Sequence, residues 1–187
     1  MPIPTESSTS PATTEPSATE GASSTLAADP VHIRSPRPGE GGDMWLLARD
    51  GGELDLNSSY AYLVLAADFA TTCRVAVSAG EVVGFLLGYQ PPQRPGSVFV
   101  WQVAVRADQR GRRLAARMLD DLVDALPGVH TLEATVTEDN TASRRLFASF
   151  ARGRGAELTW SEGVPATDFP DGHDGEPRLH ISPLTRS

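Results

Sequence analysis

Apolar and polar positions follow two rhythms along this chain, and the changes of rhythm mark its elements. Residues 97–105, SVFVWQVAV, are β-branched and aromatic with apolar residues on both faces, the pattern of a central strand. Directly after it, Leu114, Met118, Leu119, Leu122 and Leu126 recur at helical intervals until Pro127 and Gly128 close the run. A strand is then predicted over 129–136. A helix capped by Asp139 or Asn140 follows, with Ala142, Leu146, Phe147 and Phe150 as its apolar stripe and Gly153 and Gly155 at its end. Before the central strand, two short apolar runs at 74–77 and 82–89, separated by Ser78, Ala79, Gly80 and Glu81, read as a hairpin. Upstream, the pattern predicts a strand at 31–34, a breaker-rich link over 35–42 and helices at 43–50 and 57–69. The second helix opens on Asn57, Ser58 and Ser59 and carries Tyr60, Leu63, Val64 and Ala67 on the face expected to meet the sheet. Two last strands, 157–161 and 178–182, bracket an acidic loop. Strand, two helices, three strands, helix, strand, helix and two strands make a mixed α/β sheet with helices on both faces.

Residues 1–30 carry neither rhythm. They are mostly Ser, Thr, Pro and Ala, too poor in apolar surface to offset the entropy of ordering, so a disordered tail is expected there and one domain over 31–187. The single cysteine, Cys73, excludes a disulfide framework and suits a packing role. His32, His130, His173 and His180 are scattered with no metal-ligand spacing, and no metal is expected. No apolar run reaches membrane-span length and the N-terminus lacks a signal-peptide pattern, so the expected location is the cytoplasm, with no membrane partner.

Charge then changes the picture. The 187 residues carry a net charge of −8, and all 16 basic residues are arginine. Residues 106–154 hold nine arginines against seven acids, a net of +2, while the remainder holds seven against 17, a net of −10. Arg106, Arg110, Arg112, Arg113 and Arg117 cluster with only Asp108 among them. An acidic total opposes nucleic-acid binding, whereas a confined basic patch suggests one local anionic ligand. The patch lies where a strand runs through a loop containing Gly111 into a helix, an arrangement that offers free backbone N–H groups and a positive dipole end to a phosphate. Arginines beside it can add bidentate bonds. The loop has neither the Gly-Lys-Ser/Thr ending of a Walker loop nor the three glycines of a dinucleotide fingerprint.

Together with the order of elements, the run Arg110-Gly111-Arg112-Arg113-Leu114-Ala115 resembles the GNAT family of N-acetyltransferases, over about residues 31–184. The resemblance implies the GNAT fold, acetyl-CoA as co-substrate, and cofactor contacts from Val103, Val105, Arg110, Gly111, Arg112, Arg113, Leu114, Ala115 and Asn140. The loop departs from the family pattern Gln/Arg-x-x-Gly-x-Gly/Ala at Asp108 and Arg113. Arg113 is either a solvated helix arginine or a contact for the nucleotide 3′-phosphate. Asn140 is either a plain helix cap or a contact for the pantetheine arm. Phe147 stands where many members place a tyrosine that protonates the leaving thiolate, so that role is not carried over.

The runs LDLNSSYAY (54–62), VFVWQVAV (98–105) and TVTEDNTAS (135–143) are similar to the diaminobutyrate acetyltransferases of ectoine biosynthesis. That likeness implies a homodimer that acetylates the γ-amine of L-2,4-diaminobutyrate. Two ammonium groups and one carboxylate call for nearby carboxylates and a donor. By resemblance Asp55, Tyr60, Trp101 and Glu176 hold the substrate, and Glu176, Asp55, Glu133 or a water between them takes the amine proton. A backbone N–H near Val103 is expected to polarise the acetyl carbonyl. The competing readings are acetylation of another small diamine or of a protein α-amine, a catalytically silent acetyl-CoA-binding domain, and a nucleic-acid binder.

Overall fold

In a computed structural model, residues 30–52 and 54–185 are described; the tail expected over 1–30 lies, except for Pro30, outside them. The chain forms β1 (His32–Arg34), α1 (Gly41–Gly51), α2 (Ser59–Asp68), β2 (Arg74–Ser78), β3 (Glu81–Tyr89) and β4 (Ser97–Val105). It continues as α3 (Leu114–Ala125), β5 (Thr131–Thr135), α4 (Thr141–Arg154), β6 (Glu157–Val164) and β7 (Glu176–Ser182). The order matches the one predicted, with boundaries shifted by a few residues. The strands form one seven-stranded sheet in the order β1-β2-β3-β4-β5-β7-β6. All pairings are antiparallel except β4 with β5. A parallel pair cannot be joined by a tight turn, and α3 is the crossover that connects it.

Alternating side chains divide the interior into two cores. Ala76, Val83, Leu86, Val98, Val100, Leu132, Ala134, Leu179 and Ile181 point to the face covered by α3 and α4. Val75, Phe85 and Leu87 point to the opposite face, against Met44 and Ala48 of α1 and Tyr62, Leu65 and Ala66 of α2. Gly41 brings α1 against α2, where a Cβ would lie 2.7 Å from Leu63 Cα and from the Tyr62 carbonyl oxygen. Two arginines tie α3 to its neighbours. Arg154 of α4 grips Asp120 at 2.8 Å and Asp124 at 2.7 Å, while buried Arg74 of β2 pairs with Asp121.

Two predicted faces differ from those observed. On α2 the buried side chains are Tyr62, Leu65 and Ala66, whereas Tyr60, Leu63 and Ala67 are exposed. SYAYLVLAAD is apolar nearly all round, so periodicity cannot select a face and tertiary contacts decide. Tyr62 wins because its ring meets Phe85 edge-on at 5.9 Å and its hydroxyl donates to Gln102. On α4, Phe147 and Phe150 enter the core as expected, but Ala142 and Leu146 form part of a cleft wall.

Leu119 is fully buried in the larger core. Leu119→Ala is expected to lower unfolding free energy by about 2–5 kcal/mol through lost burial and a residual cavity, measured by chemical denaturation.

Candidate active site

Where β4 and β5 part, the sheet opens. Their parallel pairing runs only through Ser97↔Thr131, Val98↔Leu132 and Phe99↔Glu133. Beyond Phe99, β4 stays bonded to β3 but pairs with no strand on its β5 side among the described residues. Alternate backbone N–H and C=O groups there are free for a ligand, and buried backbone groups call for such partners. Two cavities meet at this gap. One, of about 910 Å³, runs between α1, the end of β4 and the start of α4. The other, of about 1850 Å³, spreads over β4, β5, β7 and the loop before β7. Leu54, Val103, Arg110, Asn140 and Leu146 line both, so they form one continuous cleft.

The side expected to meet the cofactor is built from the end of β4 and two helix starts. Val103 faces both cavities, while Val105 and Ala115 face the first. Gly111 lies in the left-handed region at φ +78°. So does Arg113, at φ +58°, where the family pattern has a small residue. Its side chain is exposed, and the departure at this position costs local backbone strain. Ser58 and Asn140 cap α2 and α4 with their side chains, but no side chain caps α3, whose first N–H groups remain open to an anion. Leu114 contributes only that backbone, because its side chain is buried in the core. Arg110 lines both cavities and Arg112 hydrogen-bonds Gln109 within the loop.

The expected arginine cluster is smaller as an anion site than as a sequence run. Arg106 is held by Asp108 at 2.7 Å and Glu81 at 2.9 Å, and Arg117 donates to the Val31 carbonyl at 2.9 Å. Asp108, the other departure from the family pattern, thus serves as a partner within the loop. Asn140 is a helix cap, its Oδ1 accepting from Ser143 N at 3.0 Å, and the residue also lines both cavities.

The second cavity gathers three of the four residues expected to meet a substrate. Asp55 and Trp101 line it, as does Glu176 at the start of β7. The Thr135 hydroxyl donates to Glu176 Oε2. His173, one of four scattered histidines in the sequence and the one within the acidic loop, joins these residues into a group. Its Nε2 lies 3.2 Å from Asp55 Oδ2 and 4.0 Å from Glu176 Oε1, and its ring contacts Phe169 at 4.7 Å. The Asp174 carbonyl on Nδ1 raises the His173 pKa above its ordinary value, and Asp55 and Glu176 add to the shift. The signal for His173 was its place in the acidic loop three residues before Glu176.

Glu133 does not join them. It is 2% exposed and lies outside both cavity linings, with both oxygens taken by Arg94 and one also by Arg178 at 2.9 Å. Burial pushes its pKa up, but hydrogen bonds from Arg178 and Ser97 and the charges of Arg94 and Arg178 hold it below the ordinary value. A carboxylate so paired stands apart from the group around Asp55. Tyr60 is 72% exposed on the outward face of α2 and lines neither cavity, so this chain does not bring it to the group around Asp55. Phe147 touches the second cavity with a ring that has no proton to give.

The model of the acetyltransferase (GNAT) family matches residues 43–151. The L-2,4-diaminobutyric acid acetyltransferase of Streptomyces coelicolor is 45% identical over 166 residues, covering 86% of this chain and 98% of that protein. Its counterpart from Streptomyces avermitilis is 47% identical over 163 residues, covering 83% and 91%. The chain belongs to the diaminobutyrate acetyltransferase family. Among solved structures, diaminobutyrate acetyltransferase from Paenibacillus lautus, in complex with L-2,4-diaminobutyric acid and coenzyme A, superposes with a TM-score of 0.79. It is 40% identical and covers 85% of this chain and 98% of its own. Ard1 from Thermoplasma volcanium, at 17% identity and a TM-score of 0.64 over 81% and 97%, shares the fold.

In this member of the diaminobutyrate acetyltransferase family, the imidazole titration reports on the carboxylates around it. The His173 midpoint in an NMR titration is expected above the free-histidine value of about 6.5, since the charged form is favoured. In Asp55→Asn it is expected to fall back towards that value. A midpoint unmoved by that substitution would separate the two side chains.

Proposed function

We propose that this chain transfers the acetyl group of acetyl-CoA to the γ-amine of L-2,4-diaminobutyrate, forming Nγ-acetyl-L-2,4-diaminobutyrate for ectoine biosynthesis. One observation carries the reading: a chain 40% identical to an enzyme bound to both diaminobutyrate and coenzyme A has two carboxylates, Asp55 and Glu176, around one opening. A substrate with two ammonium groups matches that charge, and burying it without counter-charges would be costly. The likeness to diaminobutyrate acetyltransferases over most of the chain favours this reading over another small diamine or a protein α-amine.

Acetyl-CoA fits the features beside that cavity. Gly111, the open start of α3 and Arg110, Arg112 and Arg113 suit the pyrophosphate and the neighbouring phosphate. The free edge of β4 from Val103 to Val105 suits the pantetheine arm, with Ala115 and Asn140 bordering it. A Val103 backbone N–H would polarise the acetyl carbonyl.

At neutral pH the γ-amine carries a proton, with a pKa near about 10, and cannot attack. Asp55 holds the ammonium groups from the α1–α2 segment, Trp101 provides an aromatic wall, and Glu176 takes the γ-proton directly or through water. The freed lone pair then forms the C–N bond at the thioester carbonyl, and the C–S bond breaks. The sulfur leaves as a thiolate and picks up a proton from solvent, consistent with a thiol pKa near about 8.5 and with phenylalanine at position 147.

The chain acts as a homodimer in this reading. Leu56, Tyr60 and Leu63 put apolar surface outward on and beside α2, and Tyr60 is assigned to that surface. The reaction is placed in the cytoplasm, where acetyl-CoA is available; no helix among the described residues is long and apolar enough to cross a membrane.

With acetyl-CoA, a panel of diaminobutyrate, ornithine, lysine and diaminopropionate is expected to give the highest kcat/KM for diaminobutyrate, read by released CoA thiol. Equal use of all four, or no thiol release, sinks the proposal. Glu176→Gln is expected to reduce kcat about 10²-fold or more while leaving the acetyl-CoA KM within about twofold. Retained kcat would remove Glu176 as the base.

A further inference from the structure

The α1–α2 connection that carries Asp55 has no helix or strand at residue 52 or over residues 54–58. The Asp55 side chain is 88% exposed, and its carboxylate contact with His173 lies in water. Such a contact cannot fix the residue by itself, because exposed ion pairs contribute little. The buried anchor is on the backbone. Gln102 Nε2 of β4 donates to the Asp55 carbonyl at 2.8 Å, and the Tyr62 hydroxyl of α2 donates to Gln102 Oε1 at 2.8 Å. Gln102 is 7% exposed and Tyr62 fully buried. One side-chain amide therefore ties the strand, the helix and the substrate segment, across 40 and 47 residues of sequence.

A bulge in β4 makes this possible. Val98 and Val100 both enter the α3/α4 core, and strict alternation would send residue 102 there too. The register shifts opposite Leu87 and Gly88, so that Gly88 pairs with Val100 and Leu87 with Gln102, leaving Trp101 as the extra residue. After the shift Val103 and Val105 pack towards the α3/α4 core, and Gln102 turns to the α2 side. The same irregularity thus sets Trp101 into the cavity wall and aims Gln102 at the Asp55 carbonyl.

We infer that Gln102, braced by Tyr62, is a positioning residue that holds the Asp55 segment against the β4 bulge and so sets diaminobutyrate affinity without contributing to acetyl-CoA binding. This rests on the proposed function in assigning Asp55 to the substrate. The Asp55 carbonyl is used by Gln102 and, more weakly, by Asn57 Nδ2 at 3.4 Å, and its carboxylate is left to face the ligand. Trp45 supports the far end of the segment by donating to the Asn57 carbonyl at 3.2 Å.

Gln102→Glu keeps shape and the acceptor for Tyr62 but removes the donor to Asp55; Gln102→Leu removes both bonds, and Tyr62→Phe removes the brace together with the hydroxyl's contact with Asn57. The diaminobutyrate KM is expected to rise roughly tenfold in Gln102→Leu, nearly as much in Gln102→Glu and about threefold in Tyr62→Phe. The acetyl-CoA KM should stay within about twofold in each. Backbone amides of residues 54–57 should exchange hydrogen faster in both Gln102 variants, with the α3 amides unchanged. A diaminobutyrate KM unchanged in Gln102→Glu, or both KM values rising together, would overturn the inference. If Gln102→Leu does not fold, the other two variants decide. If the unsubstituted chain fails to acetylate diaminobutyrate, the proposed function falls while hydrogen exchange still tests the brace, and exchange at 54–57 unaltered by Gln102→Glu refutes it.

Discussion

Everything functional in this molecule depends on a parallel strand pair that is allowed to form for only three residues. β4 and β5 are bonded from Ser97 to Phe99 and then diverge, while their outer neighbours stay paired. Unpaired backbone in the middle of a sheet is costly unless something else satisfies it. An extended amide-bearing ligand arm can do so by pairing with β4 in place of β5. The crossover helix α3 then starts at the mouth of the opening and presents its uncapped amides, so the anion site and the strand edge come from one topological feature.

Charge is divided along the same line. Several arginines are consumed in holding the sheet and helices together: Arg74 and Arg154 bind acids of α3, and Arg94 and Arg178 neutralise Glu133 beneath the closed part of the β4–β5 pair. Arg106 is balanced within its own loop. Arginine suits such partly buried pairs because its planar fork engages carboxylates through several donors. The basic side chains assigned to the anionic co-substrate are those around Gly111, and the acids assigned to the cationic substrate are those around His173. Opposite charges are thereby concentrated in adjoining halves of one cleft.

The bulge at Trp101 joins those halves mechanically. One face of β4 meets the larger core through Val103 and Val105, and the other reaches the α1–α2 segment through Gln102. A bulge adds a residue without lengthening the partner strand, which re-aims the side chains after it. Trp101, Gln102 and Val103, three consecutive residues, are consequently the ones assigned to the substrate wall, the substrate segment and the co-substrate edge.

Local chemistry along the chain determined a good deal of this. Strand and helix order, the cap at Asn140, the left-handed Gly111 and the glycine ending of α4 are short-range properties, written in spacing and residue type. The runs around Gly111 and Asp55 also carried the family. Other features depend on residues distant in sequence. Periodicity could not choose the buried face of α2, because that helix is apolar almost all round and Phe85 and Gln102 make the choice. Glu133 looked as available as Glu176 until the fold placed two guanidiniums on it, whereas Glu176 met the Thr135 hydroxyl. His173 gained a specific partner only when Asp55, 118 residues away, came within 3.2 Å. Sequence alone determined the elements and the family through local propensity and motif, while only the tertiary structure decided which carboxylates line the cleft, since that depends on neighbours contributed by other strands and loops.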